Sequence, residues 1–428
     1  MLDIKFIREN MDIVRKSLKM RGEDVSLADK FLKLDNTRRR LVQEAEDLKC
    51  KKNEASKKIG ALVKQKTDAS SAKAEVRTLS ENIKKLDNEL KDINAAYRLT
   101  LETIPNIPHE SVPEGAGAEQ NREIRAEGKI PRFAFTPRNH LELGKINGLF
   151  DLERAAKISG SGFTLYTGAG ARLERSLYNF MLDVHTRRHG YKEVFPPFLA
   201  NARSMRGTGQ LPKLEEDMYK LRDEDYYLIP TAEVPLTNMH ADEVLEEKDL
   251  PIKYTAYTAC FRREAGSYGK DTKGLIRVHQ FDKVEMVKFA QPENSMKELE
   301  ELVADAEDIL RMLRLPYRVM ALSTGDMSFA AHKCYDIELW APGTKKWLEV
   351  SSCSAFADFQ ARRANIKYQP ADRSQKPRYV HTLNGSGVAL ARLVVAILEV
   401  HQRKDGSITV PRALRPYFGA SKIRPGAF

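Results

Sequence analysis

The first hundred residues show two long series of apolar positions that recur every three or four residues. The series run over 27–62 and 72–97, and this heptad spacing predicts one apolar seam on each of two helices. A polar stretch at 64–71 separates them and is short enough for a chain reversal. The pattern therefore predicts an antiparallel helical hairpin, a coiled-coil arm over about residues 27–100, preceded by an amphipathic helix within residues 1–22.

The outer half of the first long helix is strongly cationic. Between residues 48 and 66 there are seven lysines and a single acid, Glu54. Such a charge run is typical of a solvated coiled-coil face, and equally of an arm that follows the phosphates of RNA. Two seam positions, Arg38 and Lys52, are polar, which either weakens packing there or fixes the register of the two helices.

The character of the chain changes after a linker rich in proline and glycine near residues 105–117. We place the domain boundary there, with an N-terminal domain at 1–108 and a second domain at 109–428. Short β-type runs alternate with helical runs in the second domain, which predicts an α+β fold with an antiparallel sheet flanked by helices. The predicted strands are 193–200, 226–230, 254–264, 276–290, 335–341 and 346–353, and the predicted helices are 171–189, 296–314 and 388–402.

Composition narrows the choice of partner and compartment. The formal net charge of the 428 residues is +11, which favours a polyanionic partner, with nucleic acid ahead of a membrane surface. No stretch approaches the roughly 20 apolar residues of a membrane span, and the N-terminus has neither a secretory nor a transit-peptide pattern. We therefore expect a cytoplasmic protein with no membrane partner.

The four cysteines are too few for a disulfide framework, and no two are spaced as CxxC. His332, Cys334 and Cys353 are a conceivable zinc set, but reduced structural thiols are the favoured interpretation. No zinc is expected.

The segment CFRREAGSYGKDTKGLIRVHQFDKVEM (260–286) is the first candidate for chemistry. It reads as two β-like runs joined by a loop rich in glycine and charge. Arg262 and Glu264 are expected on one face of the first run, and Arg277, His279 and Phe281 on one face of the second. Arginine suits a phosphate and a flat aromatic ring suits a base. The alternative is an ordinary hairpin with surface ion pairs.

Two later segments add a metal and a nucleotide candidate. Glu349 and Ser352 supply a carboxylate and a hydroxyl, which suit Mg²⁺ beside phosphates. The run TLNGSGVALARLVVAILE (382–399) leads through glycines to Arg392 and an apolar helix. It matches neither GxGxxG nor GxSxG, and no Walker A sequence occurs, so bound ATP requires a different scaffold.

Three of these segments resemble the motifs of class II aminoacyl-tRNA synthetases. RRHGYKEVFPPFLA is similar to the first motif, FRRE with its following strand to the second, and GSGVALAR to the third. The runs TGQLPK, PTAEVPLTN and EVSSCS, the hairpin and the linker narrow the likeness to seryl-tRNA synthetases of the bacterial type, over nearly the whole chain. In the third motif Ala391 stands where the wider class commonly has an acid, and Arg263 fills a variable place of the second.

The resemblance implies a function and its partners. A class II catalytic domain would activate L-serine with ATP and Mg²⁺ to seryl-adenylate and transfer serine to the 3′ end of tRNA(Ser), with tRNA(Sec) left open. Residues 1–108 would be a tRNA-binding domain, and the first motif implies a homodimer. The alternatives are a synthetase-like ligase that loads an amino acid onto a carrier protein, a non-catalytic tRNA-binding paralogue, and a synthetase for another amino acid.

The resemblance also assigns roles to residues. The catalytic residues would be Arg262, Glu264 and Arg392, and Mg²⁺ would be held by Glu349 and Ser352. Serine would be bound by Thr231, Ala232, Glu233, Arg262, Glu285, Asn384 and Ser386, with Thr382 close by. ATP would be bound by Arg262, Arg263, Glu264, Arg277, Val278, Phe281, Glu349, Val350, Ser351, Ser352 and Arg392. The tRNA would meet Lys49, Lys52, Lys57, Lys58, Lys64 and Lys66.

Overall fold

The computed structural model describes residues 1–265 and 274–426. The predicted glycine- and charge-rich loop after Glu264 falls mainly on residues outside this part. The chain divides into two compact units, one spanning Leu2–Pro105 and the other beginning at Asn106 and including Met1.

The N-terminal unit is helical and contains the predicted hairpin. Its helices are α1 (Ile4–Glu9), α2 (Met11–Met20), α3 (Ser26–Lys64) and α4 (Ser70–Thr103). Across the α3–α4 seam Phe31 packs on Tyr97, Arg38 donates a hydrogen bond to Asn94, and Lys49 pairs with Asp87. Residues with higher numbers in α3 contact residues with lower numbers in α4, so the two helices are antiparallel. The predicted coiled-coil hairpin is confirmed.

Arg38 shows how a polar seam position is accommodated. Its Nε donates to Asn94 Oδ1 at 2.8 Å, and its guanidinium lies 5.4 Å from the centre of the Tyr97 ring. A directional contact across the seam favours one register over its neighbours. Of the two interpretations of this position, the structure supports register rather than a simple loss of packing.

The second unit is α+β. Its helices are α5 (His140–Asn147), α6 (Leu152–Ser159), α7 (Gly168–Arg187), α8 (Ala202–Thr208), α9 (Glu233–Asn238), α10 (Ser295–Leu313), α11 (Phe359–Ala364), α12 (Leu390–Val400) and α13 (Arg415–Phe418). Its strands are β1 (Arg122–Glu127), β2 (Lys192–Glu193), β3 (Leu199–Asn201), β4 (Tyr226–Leu228), β5 (Val244–Glu246), β6 (Ile252–Phe261), β7 (Gln280–Ala290), β8 (Tyr317–Ala321), β9 (Lys333–Ala341), β10 (Lys346–Ala355), β11 (Lys367–Gln369), β12 (Arg378–Tyr379), β13 (His381–Ala389), β14 (Ile408–Thr409) and β15 (Lys422–Ile423).

Among the described residues, eight of these strands form one sheet in the order β1-β8-β9-β10-β13-β7-β6-β2. Neighbours are antiparallel except β2 and β6, which are parallel at one edge. Helices α7, α10 and α12 pack on the sheet and share its main apolar core. The predicted α+β fold with a helix-flanked sheet is confirmed, and the sheet differs from the prediction in its one parallel edge pair.

The sheet has two unlike faces at β7. Val284 and Met286 are fully buried in the main core. Because side chains alternate along a strand, Lys283 and Glu285 lie on the opposite face. This second face carries the polar pocket described below.

Two predicted elements differ from the structure for local reasons. The predicted strand at 193–200 is wrong in its middle, where Pro196 and Pro197 interrupt it and only β2 and β3 remain at its ends. The predicted helix at 388–402 begins two residues later as α12, because the glycine-rich run before it continues as strand β13. In the described part of the chain, no helix is long and apolar enough to cross a membrane.

Candidate active site

A pocket of about 590 Å³ opens on the polar face of the sheet. Strands β7, β10 and β13 form its floor, and the segments after β6 and before α9 and α12 contribute to its walls. Most of the residues expected to bind substrate come together here. Those that line it are Thr231, Glu233, Arg262, Glu264, Arg277, Val278, Phe281, Glu285, Glu349, Val350, Ser352, Asn384, Ser386 and Arg392.

Three polar side chains form a tight group at one end of the pocket. Thr231 Oγ1 donates to Glu285 Oε2 at 3.1 Å and accepts from Lys283 Nζ at 2.8 Å. Lys283 Nζ also lies 2.5 Å from Glu285 Oε2. The exposed fractions of the Lys283 and Glu285 side chains are 7% and 1%, so this is a buried ion pair with a hydroxyl bonded to both of its members.

Lys283 was not among the predicted site residues. It stands two positions before Glu285 on β7, so the period of two places both on one face. That spacing was a usable signal in the sequence.

Glu233 is the second buried acid of the pocket and begins helix α9. Burial raises its pKa to about 7, and the nearby charge of Glu285 adds to the rise. Gln360 opposes the rise by donating from Nε2 to Glu233 Oε1 at 2.6 Å, and the charges of Lys283 and Arg262 oppose it further. Glu233 is therefore an acid that changes charge near neutral pH, and such groups concentrate at functional sites.

Arg262 lies beside this acidic end. Its Nε donates to Pro230 O at 3.3 Å, and its guanidinium is 5.2 Å from the centre of the Phe281 ring. Glu264 accepts a hydrogen bond from Arg277 Nη1 at 2.6 Å. The pocket thus places a cation next to two acids, with an aromatic ring and a second ion pair further along.

The predicted strand faces in this region are wrong, although the residues do meet. Strand β6 ends at Phe261, before Arg262, and Glu264 has a φ of +52° in the left-handed region. Strand β7 begins at Gln280, so Arg277 and His279 precede it. Backbone turns, rather than strand alternation, bring Arg262, Glu264 and Arg277 to the pocket, and His279 does not line it.

Glu349 and Ser352 both line the pocket because strand β10 is irregular. Residues three apart on a regular strand face opposite sides, but the register of β10 against β9 shifts between Glu349 and Ser351. Arg392 ties the β10 backbone to the segment before β7. Its Nη1 donates to Glu349 O at 2.6 Å and its Nε donates to Ile276 O at 3.0 Å.

Strand β13 carries a second irregularity at the pocket. Its register against β7 shifts between Ser386 and Val388, whose φ is 140°. Before the shift, Asn384 and Ser386 share the pocket face, and shortly after it α12 begins and presents Arg392.

Three of the residues that were expected to bind serine or ATP do not line the pocket. Ala232 is fully buried beneath it. Arg263 lines a different pocket with residues of 215–220. Ser351 turns inward, where its Oγ donates to Ser386 O at 2.6 Å and ties the two irregular strands together.

The hydroxyl and carboxylate at Ser352 and Glu349 fit a hard cation that is shared with phosphates. Glu349 is exposed, and Ser352 Oγ lies 3.2 Å from Cys334 Sγ. Mg²⁺ is usually bound by one or two protein oxygens together with water and substrate phosphate, and this pair is of that kind. In residues 1–265 and 274–426 no group of three or more His, Cys, Asp or Glu side chains is arranged to hold a metal by itself.

In the N-terminal unit the predicted RNA-contacting lysines lie along the second half of α3 and in the turn after it. Lys52 is partly buried, and the others are exposed: Lys49, Lys57, Lys58, Lys64 and Lys66.

Comparison with known proteins decides the family. The Seryl-tRNA synthetase N-terminal domain family matches residues 1–108, and the tRNA synthetase class II core domain (G, H, P, S and T) matches residues 217–401. The serine--tRNA ligase of Carboxydothermus hydrogenoformans is 55% identical over 423 residues, which cover 99% of each chain. The chain belongs to the seryl-tRNA synthetase family. The class II core match contains every pocket residue from Thr231 to Arg392.

Solved structures of seryl-tRNA synthetases agree with this placement. The enzyme of Pyrococcus horikoshii, complexed with ATP, has a TM-score of 0.91 and 40% identity, covering 99% of this chain and 100% of that chain. The cytoplasmic serine-tRNA ligase of Naegleria fowleri, in complex with AMP, has a TM-score of 0.86 and 28% identity, covering 100% of this chain and 99% of that chain. The likeness to seryl-tRNA synthetases therefore extends over both units of the chain.

Proposed function

We propose that the chain is a serine--tRNA ligase that makes seryl-adenylate in the pocket around Thr231 and Arg262. The observation that carries the assignment is the grouping of Glu233, Glu285 and Arg262 around Thr231 at one end of the pocket. Two acids suit the ammonium group of an amino acid, and a guanidinium suits its carboxylate. Asn384 and Ser386 on β13 close the same end of the pocket.

ATP is the second substrate in this proposal. Phe281 would stack on adenine, and Arg277 with Arg392 would contact the nucleotide from two sides. Glu349 and Ser352 would hold Mg²⁺, which when bound supplies positive charge beside the phosphates. Arg262 would contact the serine carboxylate and the α-phosphate together.

The first step needs no protein nucleophile. A carboxylate oxygen of serine attacks the α-phosphorus, the bond to the β-phosphate bridge breaks, and pyrophosphate leaves with the bonding electrons. Arg262 stabilises the charge that develops on the α-phosphate oxygens. In the second step a ribose hydroxyl at the 3′ end of tRNA attacks the seryl carbonyl carbon, and AMP leaves. We propose that a phosphate oxygen of the adenylate accepts the hydroxyl proton.

The same geometry accounts for amino-acid choice. The hydroxyl of serine would meet the polar group formed by Thr231 and Glu285. A site that bonds a hydroxyl rejects an analogue without one by about 10⁴-fold, so alanine is excluded strongly. Threonine adds one methyl group, and shape alone gives only about 10- to 200-fold discrimination against such a difference.

The N-terminal hairpin supports tRNA as the acceptor. Its exposed lysines form a row of charge on a rigid helix, which suits contact with an RNA backbone. A ligase for a carrier protein would have no use for such an arm, and a non-catalytic paralogue would have no use for the set of Arg262, Glu285 and Glu349. The proposal also includes a homodimer, which the first class II motif implies, and a cytoplasmic location.

The test is ATP–pyrophosphate exchange with each amino acid in turn, followed by charging of tRNA(Ser) and tRNA(Sec). Exchange with serine alone, and charging that requires the hairpin, are the expected results. Exchange with a different amino acid, or with none, would overturn the proposal.

A further inference from the structure

Gln360 connects four chain segments behind the serine end of the pocket. It is fully buried on the short helix α11. Its Nε2 donates to Glu233 Oε1 at 2.6 Å and to Thr208 O at 3.2 Å, and its Oε1 accepts from Thr382 Oγ1 at 2.7 Å. Segments of α8, α9, α11 and β13 therefore converge on one amide.

These contacts allow the Gln360 amide only one orientation. If it were flipped, its oxygen would face the Glu233 carboxylate and the Thr208 carbonyl, both of which are acceptors, and its nitrogen would face the Thr382 hydroxyl. A buried amide that loses two acceptors in this way is strongly disfavoured. The amide protons are therefore held toward Glu233.

The surroundings of Glu233 make this donor important. The charged groups that face it are Glu285 and Lys283 from β7 and Arg262 after β6, and burial and Glu285 favour its neutral form. Against these, the 2.6 Å bond from Gln360 favours the carboxylate. A neutral Glu233 would not attract the ammonium group of an amino acid.

We propose that Gln360 is a positioning residue for amino-acid activation: its amide holds the Glu233 carboxylate in place and favours the ionised form, and so sets the lower pH limit of serine binding. The inference rests on the proposed function, since it assigns Glu233 to the ammonium group. Gln360 does not line the pocket. Its influence therefore passes through Glu233, with Thr382 holding the amide in place.

The experiment measures serine-dependent ATP–pyrophosphate exchange from pH 6 to 8.5, which ends below the titration of free serine's ammonium group. Four proteins are compared: the unchanged chain, Gln360→Met, Thr382→Val and Gln402→Met. Gln402 is the matched control, a buried glutamine that also makes three hydrogen bonds, to Arg138 and Glu399. It does not line the pocket.

For the unchanged chain, kcat/KM for serine should rise with pH through a midpoint near 7, as Glu233 ionises. Loss of a hydrogen bond to a charged group should move that midpoint up by about one to two units in Gln360→Met. KM for serine near pH 7 should rise by roughly tenfold, and the difference should shrink toward pH 8.5. KM for ATP should stay unchanged, and Thr382→Val should show a smaller shift in the same direction.

An unchanged midpoint in Gln360→Met, with KM for serine raised equally at every pH, would overturn the inference because it would show a packing role only. An equal shift in Gln402→Met would overturn it as well. If Gln360→Met does not fold, Thr382→Val decides the question by the presence or absence of its shift. No serine-dependent exchange in the unchanged chain would instead sink the proposed function, so the two failures are distinguishable.

Discussion

The buried pair of Lys283 and Glu285 should contribute strongly to the free energy of unfolding of the second unit. This contribution can be measured apart from the unfolding of the N-terminal unit. Lys283→Met removes a cation 2.5 Å from Glu285, with side chains 7% and 1% exposed. Breaking a buried pair from one side costs about 3–5 kcal/mol, since the remaining charge has lost its partner. We expect that loss in the free energy of unfolding of the second unit.

Tryptophan fluorescence in urea is the assay, because Trp340 and Trp347, the two tryptophans of the chain, both lie in the second unit. The double variant Lys283→Met with Glu285→Gln should recover more than about 1 kcal/mol of the loss, which identifies a pairwise interaction. Lys253→Met is the control: this lysine on β6 lies 3.8 Å from the half-exposed Glu301, and about 0–1 kcal/mol is expected. A loss below about 1 kcal/mol for Lys283→Met, or strict additivity in the double variant, would refute the reasoning.

Three further predictions concern the binding of tRNA, Mg²⁺ and ATP. Replacing the exposed Lys57, Lys58, Lys64 and Lys66 at the end of the hairpin by alanine should weaken the salt dependence of tRNA binding. The magnitude of the slope of log affinity against log salt should fall by about 0.7–0.9 for each phosphate that is no longer neutralised, and serine-dependent exchange should stay unchanged. An unchanged slope would argue against phosphate binding by these lysines. Glu349→Gln should raise the Mg²⁺ concentration needed for half-maximal exchange by at least about tenfold, and an unaltered Mg²⁺ titration would remove Glu349 from the metal site. Phe281→Leu should raise KM for ATP by about 5- to 150-fold, the equivalent of about 1–3 kcal/mol of stacking on a base, while KM for serine stays constant; equal effects on both substrates would contradict a stacking role.

The elements that were predictable from sequence are those in which spacing along the chain determines side-chain direction. The heptads of α3 and α4 follow this rule, as do the alternating residues of β7. The ends of the elements did not follow it. Glu264 adopts a left-handed backbone after β6, and β10 shifts register at Glu349, so neither direction could be read from a regular period.

Gln360 illustrates a different limit. It lies 127 residues from Glu233 and 22 from Thr382, and no spacing rule relates the three. Its role depends on where α11 packs, which is a property of the whole second unit. Lys283 was within reach of sequence reasoning, because it is two residues from Glu285 on the same strand, and its importance comes from burial that the sequence alone does not display.

If Glu233 binds the ammonium group of serine, as proposed, the charges around Thr231 let residues that do not touch serine influence its binding. Glu233 and Glu285 carry two negative charges when ionised, and Lys283 and Arg262 carry two positive ones. A zwitterionic amino acid adds no net charge, so its ammonium and carboxylate groups can enter beside these four side chains without upsetting their charge balance, which requires an ionised Glu233. Protonation of Glu233 leaves these four side chains with a net positive charge that opposes the ammonium group. In the proposed mechanism Gln360 therefore influences serine binding without contacting the substrate, because its hydrogen bond favours the ionised form of Glu233.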